Sequence, residues 1–336
     1  MKPRSAGYVR LSHHYDMPTP PPLTQAQKDR LAILEPALRA AVYAADYQRA
    51  KGFAADIQAL LRATGHETRL MRSKNWLFEA ALNAGELNTA ELGFRGVRAK
   101  TEKNTRVHLE ATALLVVCLL RQQKVSEAEP LIARVLQGKA IKDADRRRHF
   151  IESVASRYQL ESYISSVRNL AHESLNVDDI DSAAIEAVKT KTDDELYTQI
   201  ASAIPREVIE VVYRVDRAAR KQLTMKEVLY LPSPAALEIK VEHGRSFFAS
   251  LKLVIWKALC DPQSEIYKAW YTNGIAQVLS KKYYAMVVTA ALVDLGFAAK
   301  AVAVPATALL MKLGIEVYCE KFKPGEILDG RSSRGG

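Results

Sequence analysis

The chain has 336 residues, of which 48% are hydrophobic and 26% are charged, so it is long enough for two domains with apolar cores. Its charged fraction is ordinary for a soluble protein. Residues 1–17 lack the apolar core of a signal peptide, which favours a cytoplasmic protein. The three cysteines, Cys118, Cys260 and Cys319, match no zinc-ligand spacing and form no recognisable disulfide framework, so we expect a reducing compartment.

The excess of positive over negative charge lies entirely in the first half of the chain. Residues 1–170 hold 27 Lys and Arg against 17 Asp and Glu, whereas residues 171–336 hold 21 of each. Such an asymmetry indicates either an acidic protein partner or a nucleic acid. A solvated surface that keeps the protein soluble is the alternative interpretation, because charges of both signs alternate along most of the predicted helices.

Segments of different composition predict five regions. Residues 1–23 end in a proline-rich run and are expected to be a disordered tail. Thr24 and Gln27 form a capping-box pattern, which places the first helix start there. From this point we predict an all-α protein: a helical-repeat domain over residues 24–175, a helical connector over 176–232, an apolar helical bundle over 233–325 and a disordered tail over 326–336.

Three helix pairs follow one another in the first 140 residues. Each has a long apolar helix, a turn, and a shorter helix that begins with polar residues and an alanine. The alanines Ala50, Ala90 and Ala128 lie 40 and 38 residues apart. A regular interval of this size is typical of a helical solenoid, in which each unit buries its apolar face against its neighbours.

Residues 30–140 resemble the tetratricopeptide-repeat family. The resemblance rests on the small residues Ala90 and Ala128, on Gly85 in a turn, and on the apolar pairs Leu77 with Phe94 and Leu115 with Ile132. Phe78 and Val116 depart from it, because the family favours a small residue at those places, and the intervals exceed its 34-residue repeat. The resemblance implies a scaffold of paired helices that binds other proteins.

The carboxy-terminal region is strongly apolar, above all in residues 283–318. Lys282 and Asp294 enclose only eleven uncharged positions, and Lys300 and Lys312 enclose eleven more, whereas a membrane-spanning helix needs about 20. We therefore expect a hairpin buried in a helical bundle and not stable membrane insertion, with a membrane-active hairpin as the weaker alternative. Residues 256–262 and 314–320, together with this hairpin, are loosely similar to a helical module of bacterial conflict and phage-defence proteins, which implies antiviral defence as a biological setting.

The sequence shows no recognisable catalytic constellation. The histidines are scattered without metal-ligand spacing, and no glycine-rich phosphate loop or nucleophile elbow is present. We therefore predict a non-enzymatic protein without cofactor or metal, and we see no sign of a small-molecule substrate.

Two sets of residues are candidates for binding. The leading hypothesis is a cytoplasmic protein-protein interaction scaffold or adaptor, part of a multi-subunit complex, whose groove is lined by polar residues on the first helices of the pairs. The alternative is a nucleic-acid-binding subunit that uses two basic patches. The groove candidates are Arg72, Asn75, Glu79, His108, Thr112 and Arg121. The nucleic-acid candidates are Arg95, Arg98, Lys100, Lys103, Arg106, Arg146, Arg147 and Arg148.

Overall fold

A computed structural model describes residues 20–167, 171–229, 240–262, 264–273, 282–294 and 297–321. In these ranges the chain is almost entirely helical, which confirms the all-α prediction. Residues 1–19 of the predicted tail at 1–23, and the whole of the predicted tail at 326–336, lie outside the described residues. The helices are α1 Gln25–Tyr43, α2 Tyr47–Leu61, α3 Glu67–Asn83, α4 Leu87–Ala99, α5 Arg106–Arg121, α6 Val125–Gln137, α7 Ala144–Val167, α8 Val177–Thr190, α9 Asp193–Ser202, α10 Arg206–Arg220, α11 Met225–Val228, α12 Lys240–Cys260, α13 Glu265–Asn273, α14 Tyr283–Asp294, α15 Lys300–Leu313 and α16 Ile315–Lys321.

Helix α1 begins where the capping-box pattern places its start. The Thr24 side chain accepts from the backbone N–H of Gln27, and the Gln27 side chain accepts in return from the Thr24 backbone. This exchange satisfies two of the amide groups that a helix start leaves without a partner. Each helix from α1 to α5 packs against the helix that follows it, and α1, α3, α5 and α7 also pack against one another in that order.

The three turns that join α1 to α2, α3 to α4 and α5 to α6 share one geometry. Each contains a left-handed residue, namely Ala45 with φ 52°, Gly85 with φ 84° and Gln123 with φ 60°. In the third turn the Gln123 N–H donates to the carbonyl of Leu120 and the Lys124 N–H donates to that of Leu119, and the same two bonds recur in the other turns. This is the Schellman motif, which stabilises the end of a helix and reverses the chain.

The alanines that recur at intervals of 40 and 38 residues belong to the hydrophobic core of this half. Ala50, Ala90 and Ala128 are all fully buried. In the second pair a large side chain replaces the small one that the tetratricopeptide pattern favours, and the opposite helix compensates for it. A Cβ atom on Gly93 of α4 would lie 2.2 Å from the Phe78 ring of α3, so the glycine makes room for the phenylalanine.

The buried side chains form two hydrophobic cores. The first extends from Leu23 to Tyr158, and two residues of α10 join it. The second begins at Tyr163 and includes α8, α9, α12, α14, α15 and α16. Helices α7 and α10 contribute to both cores. The helices α8 and α9, which the sequence placed in a connector, therefore share a core with the carboxy-terminal bundle.

Two very short strands lie within the second half. Ala171–His172 pairs in parallel with Phe297–Ala298, with Ala171 opposite Phe297. The bridge positions Glu173, whose carboxylate accepts from the Lys300 N–H at 2.7 Å at the start of α15. A carboxylate favours this end of a helix because the helix dipole is positive there. The sequence analysis missed this bridge.

A disulfide joins Cys260 at the end of α12 to Cys319 in α16. The expectation that the chain contains no disulfide is therefore wrong, and the inference of a reducing compartment loses its basis. The third cysteine, Cys118, is free and buried. The cytoplasmic localisation stays a prediction.

The apolar hairpin of residues 283–318 is packed within the second core. Val287 and Val288 of α14 and Val302 and Leu310 of α15 have no exposed surface. Across the described part of the chain, none of the helices combines the length and the apolar character that crossing a bilayer requires.

Candidate functional site: a basic pocket between α4, α5 and α6

Three of the predicted groove residues are interior. Asn75, Glu79 and Thr112 are exposed by only 0%, 2% and 3% of their surface. Asn75 Nδ2 donates to the Val107 carbonyl at 3.1 Å, and Thr112 Oγ1 donates to the His108 carbonyl at 2.8 Å. Asn75 and Glu79 therefore lie inside the stacked helices and not on an open groove as predicted, and the Asn75 amide and the Thr112 hydroxyl bond to backbone carbonyls.

The groove candidates Arg72 and Arg121 hold neighbouring helices together. Arg72 lies 3.3 Å from Glu35 of α1 and stacks on the Trp76 ring at 5.4 Å. Arg121 donates to both oxygens of Glu161 on α7 at 2.8 Å, and its third contact is the Leu82 carbonyl at 2.6 Å. A two-point bond of this kind fixes orientation as well as distance. These arginines are therefore structural residues in the described chain.

Glu161 is a buried carboxylate between two arginines. Burial opposes its ionisation, but the charges and hydrogen bonds of Arg121 and Arg157 outweigh burial and lower its pKa. The Arg157 Nε atom lies 2.8 Å from Glu161. The ionised carboxylate is thus part of the contact between α5 and α7.

Half of the predicted nucleic-acid patch is engaged in ion pairs. Four of its arginines contact carboxylates at 2.8 to 3.5 Å. The pairs are Arg95 with Glu91 and Glu127, Arg106 with Glu110, Arg147 with Glu227, and Arg148 with Asp145 and Glu152. An arginine already held by a carboxylate is a weaker phosphate ligand, because binding must first break that pair.

The network around Glu91 illustrates how firmly these pairs are held. Burial opposes ionisation of Glu91, yet hydrogen bonds from Lys124, Gln122 and Arg95 outweigh it and lower its pKa to about 2. Lys124 Nζ lies 2.9 Å from Glu91 and belongs to the turn before α6. The network therefore connects α4 to the next helix pair.

A different arrangement surrounds the remaining patch residues Arg98 and Lys103. Together with His108 and Thr112 from the groove set, they line a cavity of about 460 Å³. Residues from both predicted sites thus meet in one place. The last turn of α4, the loop before α5, the start of α5 and the end of α6 form the walls. The complete lining is Arg98, Lys103, His108, Leu109, Thr112, Arg134, Gln137, Gly138 and Ala140.

The lining of this basic pocket contains three permanent cations and no carboxylate. Within the described residues, Arg98, Lys103 and Arg134 make no ion pair, and the Nε atom of Arg98 is buried without a hydrogen-bond partner. A desolvated guanidinium donor without an acceptor is unfavourable by about 1–3 kcal/mol. The pocket therefore holds uncompensated positive charge.

The pKa values of two lining residues reflect this charge. Burial lowers the pKa of Arg98, and the nearby charges of Arg134 and Arg95 lower it further. Burial likewise lowers the pKa of His108, with added effects from Arg98 and Lys103. His108 Nδ1 lies 3.2 Å from the Thr101 carbonyl, which accepts a hydrogen bond from the imidazole. A neutral imidazole is thus expected at neutral pH.

Arg134 is the residue of the site that sequence reasoning missed. It lies in the last turn of α6, 36 residues after Arg98 in the last turn of α4. A basic residue in the last turn of the shorter helix of two successive pairs was a usable signal. Of the other patch members, Lys100 and Arg146 are exposed.

In the described residues no three His, Cys, Asp or Glu side chains are grouped as a metal site. Neither a family model nor a curated protein or solved structure matches this chain. The basic pocket is therefore interpreted from its own chemistry.

Proposed function

We propose that this protein is a non-enzymatic binding scaffold built of tetratricopeptide-like helix pairs, and that it docks an acidic segment of a partner protein at the basic pocket. The observation that carries the proposal is the set of three cations, Arg98, Lys103 and Arg134, around a cavity whose lining has no carboxylate. Carboxylates of a partner would supply the missing acceptors through charge-assisted hydrogen bonds. The three matching turns of the helix pairs support the scaffold part of the proposal.

The pattern of ion pairs favours a protein partner over a nucleic acid. A nucleic-acid surface needs several free cations in a row that follow the phosphate backbone. Here four of the eight candidate residues already bind carboxylates, and two of the other four, Arg98 and Lys103, line a cavity. A concave site suits a short acidic segment better than a long polyanion.

Nucleic-acid binding remains the second candidate function, since Lys100 and Arg146 are exposed cations beside the pocket residues in the sequence. Membership in a bacterial defence complex is a further proposal that rests on the similarity of the carboxy-terminal segment. The pocket itself does not bear on that setting.

A fluorescence anisotropy titration tests the proposal. A labelled peptide of eight glutamates is added to the full chain, and an oligonucleotide of equal charge is added in parallel, each at two salt concentrations. We expect the peptide to bind to the unmodified chain. The double variant Lys103→Gln/Arg134→Gln should bind the peptide more weakly, because both residues are exposed and line the pocket. The matched control is Arg206→Gln, whose side chain is 83% exposed in the other half of the chain.

Two results would contradict the proposal. Equal peptide binding by the double variant and by Arg206→Gln would show that the pocket is not the docking site. Tight oligonucleotide binding with a steep loss at high salt, together with no peptide binding, would favour the nucleic-acid function.

A further inference from the structure

The charge of the basic pocket exceeds what a single carboxylate can balance. Arg98, Lys103 and Arg134 carry three positive charges, and the low pKa of His108 leaves the imidazole neutral beside them. One carboxylate would leave two of these charges without a counterion. A dianion leaves only one, which a partly enclosed site tolerates more easily.

The donor types in the pocket also suit a tetrahedral dianion. Two of the three cations are guanidinium groups, whose planar arrays of N–H donors match phosphate oxygens in pairs. The Arg98 Nε–H is already desolvated and lacks an acceptor in the described chain. Arg98 therefore has hydrogen-bonding capacity that no acceptor in the described residues uses.

The size and walls of the pocket indicate that the anion carries an attached group. A cavity of about 460 Å³ lies in the range of small-molecule pockets and is much larger than one phosphoryl group. Leu109, Ala140 and Gly138 supply apolar parts of the lining. A phosphate ester, with a charged head and a less polar remainder, fits a pocket that is lined by both cations and apolar groups.

We propose that the basic pocket is a binding site for a phosphate monoester, in which Arg98 and Arg134 grip the phosphoryl oxygens, Lys103 adds charge at the mouth, and Leu109 and Ala140 contact the esterified group. This inference rests on the proposed function, because it names the chemistry by which the same site selects its partner. A phosphorylated protein segment and a free phosphorylated metabolite share this chemistry.

Isothermal titration calorimetry on the full chain, at fixed ionic strength, tests the inference. The probes are phenyl phosphate, benzoate as its singly charged analogue, a phosphoserine peptide, and the same peptide with glutamate in place of phosphoserine. We expect one phenyl phosphate per chain and at least tenfold weaker binding of benzoate. If the natural ligand is a phosphorylated protein segment, the phosphoserine peptide should bind more tightly than phenyl phosphate. If the natural ligand is a metabolite, phenyl phosphate should bind at least as tightly as the peptide.

Variants locate the site. Arg98→Gln and Arg134→Gln should each weaken the binding of phenyl phosphate by about tenfold to a hundredfold. This is the usual effect of losing a hydrogen bond to a charged group. Arg134→Lys should recover only part of the affinity, because it keeps the charge and loses the planar donors. Arg206→Gln should bind like the unmodified chain. Arg134 is exposed, so its variants test the site even if Arg98→Gln fails to fold.

The outcomes separate the two proposals. Binding of the glutamate peptide with no preference for phosphate overturns the phosphate inference and leaves the proposed function standing. Binding of phenyl phosphate without either peptide supports the phosphate site and overturns the docking of a protein segment. Phosphate binding that Arg134→Gln does not weaken overturns the inference, and the absence of binding by every probe overturns both.

Discussion

Removing the Cys260–Cys319 disulfide should destabilise the second core selectively. The two cysteines are 59 residues apart, and the bond ties α16 to the end of α12. A crosslink that closes a loop of this length restricts the unfolded chain and stabilises the folded state by about 4 kcal/mol in the chain-entropy relation. The loop contains α13, α14 and α15, so the loss should fall on the second core.

Urea unfolding of the oxidised chain and of the double variant Cys260→Ser/Cys319→Ser measures this difference. Hydrogen exchange then locates it: α12, α15 and α16 should lose protection, whereas α3 and α5 of the first core should keep it. Cys118 serves as an internal control, because it is free and buried. Alkylation of the denatured chain should modify one cysteine before reduction and three after it.

Two results would refute this reasoning. Three reactive thiols in the denatured, unreduced chain would show that the bond does not form. A change in the free energy of unfolding below about 1 kcal/mol, or an equal effect of a reducing agent on the double variant, would show that the crosslink does not constrain the unfolded chain as the relation requires.

Three further predictions concern the first half of the chain. Gly93→Ala should lower the free energy of unfolding by roughly 1–3 kcal/mol, because the added methyl group would overlap the Phe78 ring. Gly96→Ala has open space around it and should raise the free energy of unfolding by up to about 1 kcal/mol. Equal effects of the two substitutions in urea unfolding would contradict the packing argument. Ala45→Gly should stabilise the chain by up to about 1 kcal/mol, since glycine adopts a positive φ without strain, and thermal unfolding that shows a loss would refute this. Glu161→Gln should cost about 3–5 kcal/mol at pH 7 by leaving buried arginine charge without its partner. The pKa of Glu161 in the folded chain lies below the ordinary 4.5, so its contribution to stability is complete above pH 4.5 and is lost as the pH falls through the folded pKa. The difference in free energy of unfolding between the unmodified chain and the variant should therefore narrow in acid. A constant difference from pH 7 to pH 3 would contradict this prediction.

Local signals in the sequence predicted the helices well. The capping box joins Thr24 and Gln27 within one helical turn, so the sequence itself shows it. The buried alanines are visible in the sequence because they recur at intervals of 40 and 38 residues. The left-handed turn at Gln123 was less visible in the sequence, because glycine is the usual residue at such a position. Of the three turns, only the one at Gly85 has a glycine there. The Cys260–Cys319 pair had no local signal at all, since its 59-residue separation is set by the tertiary fold.

The candidate site was harder to predict, for a reason that Arg121 makes clear. A polar residue on an apolar helix was expected to face solvent, but its partner Glu161 lies one repeat interval further along the chain. Arg72 and Glu35 show a similar offset in the opposite direction. Opposite charges at the repeat interval were the available signal that these residues bind each other.

The same reasoning identifies the charges that remain after folding. Helix dipoles account in part for Arg98 and Arg134, since both lie in last turns where cations are favoured by about 0.3–1 kcal/mol. Helix dipoles do not account for Lys103, which lies in the loop between α4 and α5. They also do not account for the buried Nε of Arg98, which lacks an acceptor in the described residues. If the dipole were the whole reason, Arg98→Gln and Arg134→Gln would lower the stability slightly and leave anion binding unchanged. If the pocket is kept for an anion, the same substitutions should relieve the mutual repulsion of the cations, leave stability equal or higher, and weaken anion binding by about tenfold to a hundredfold.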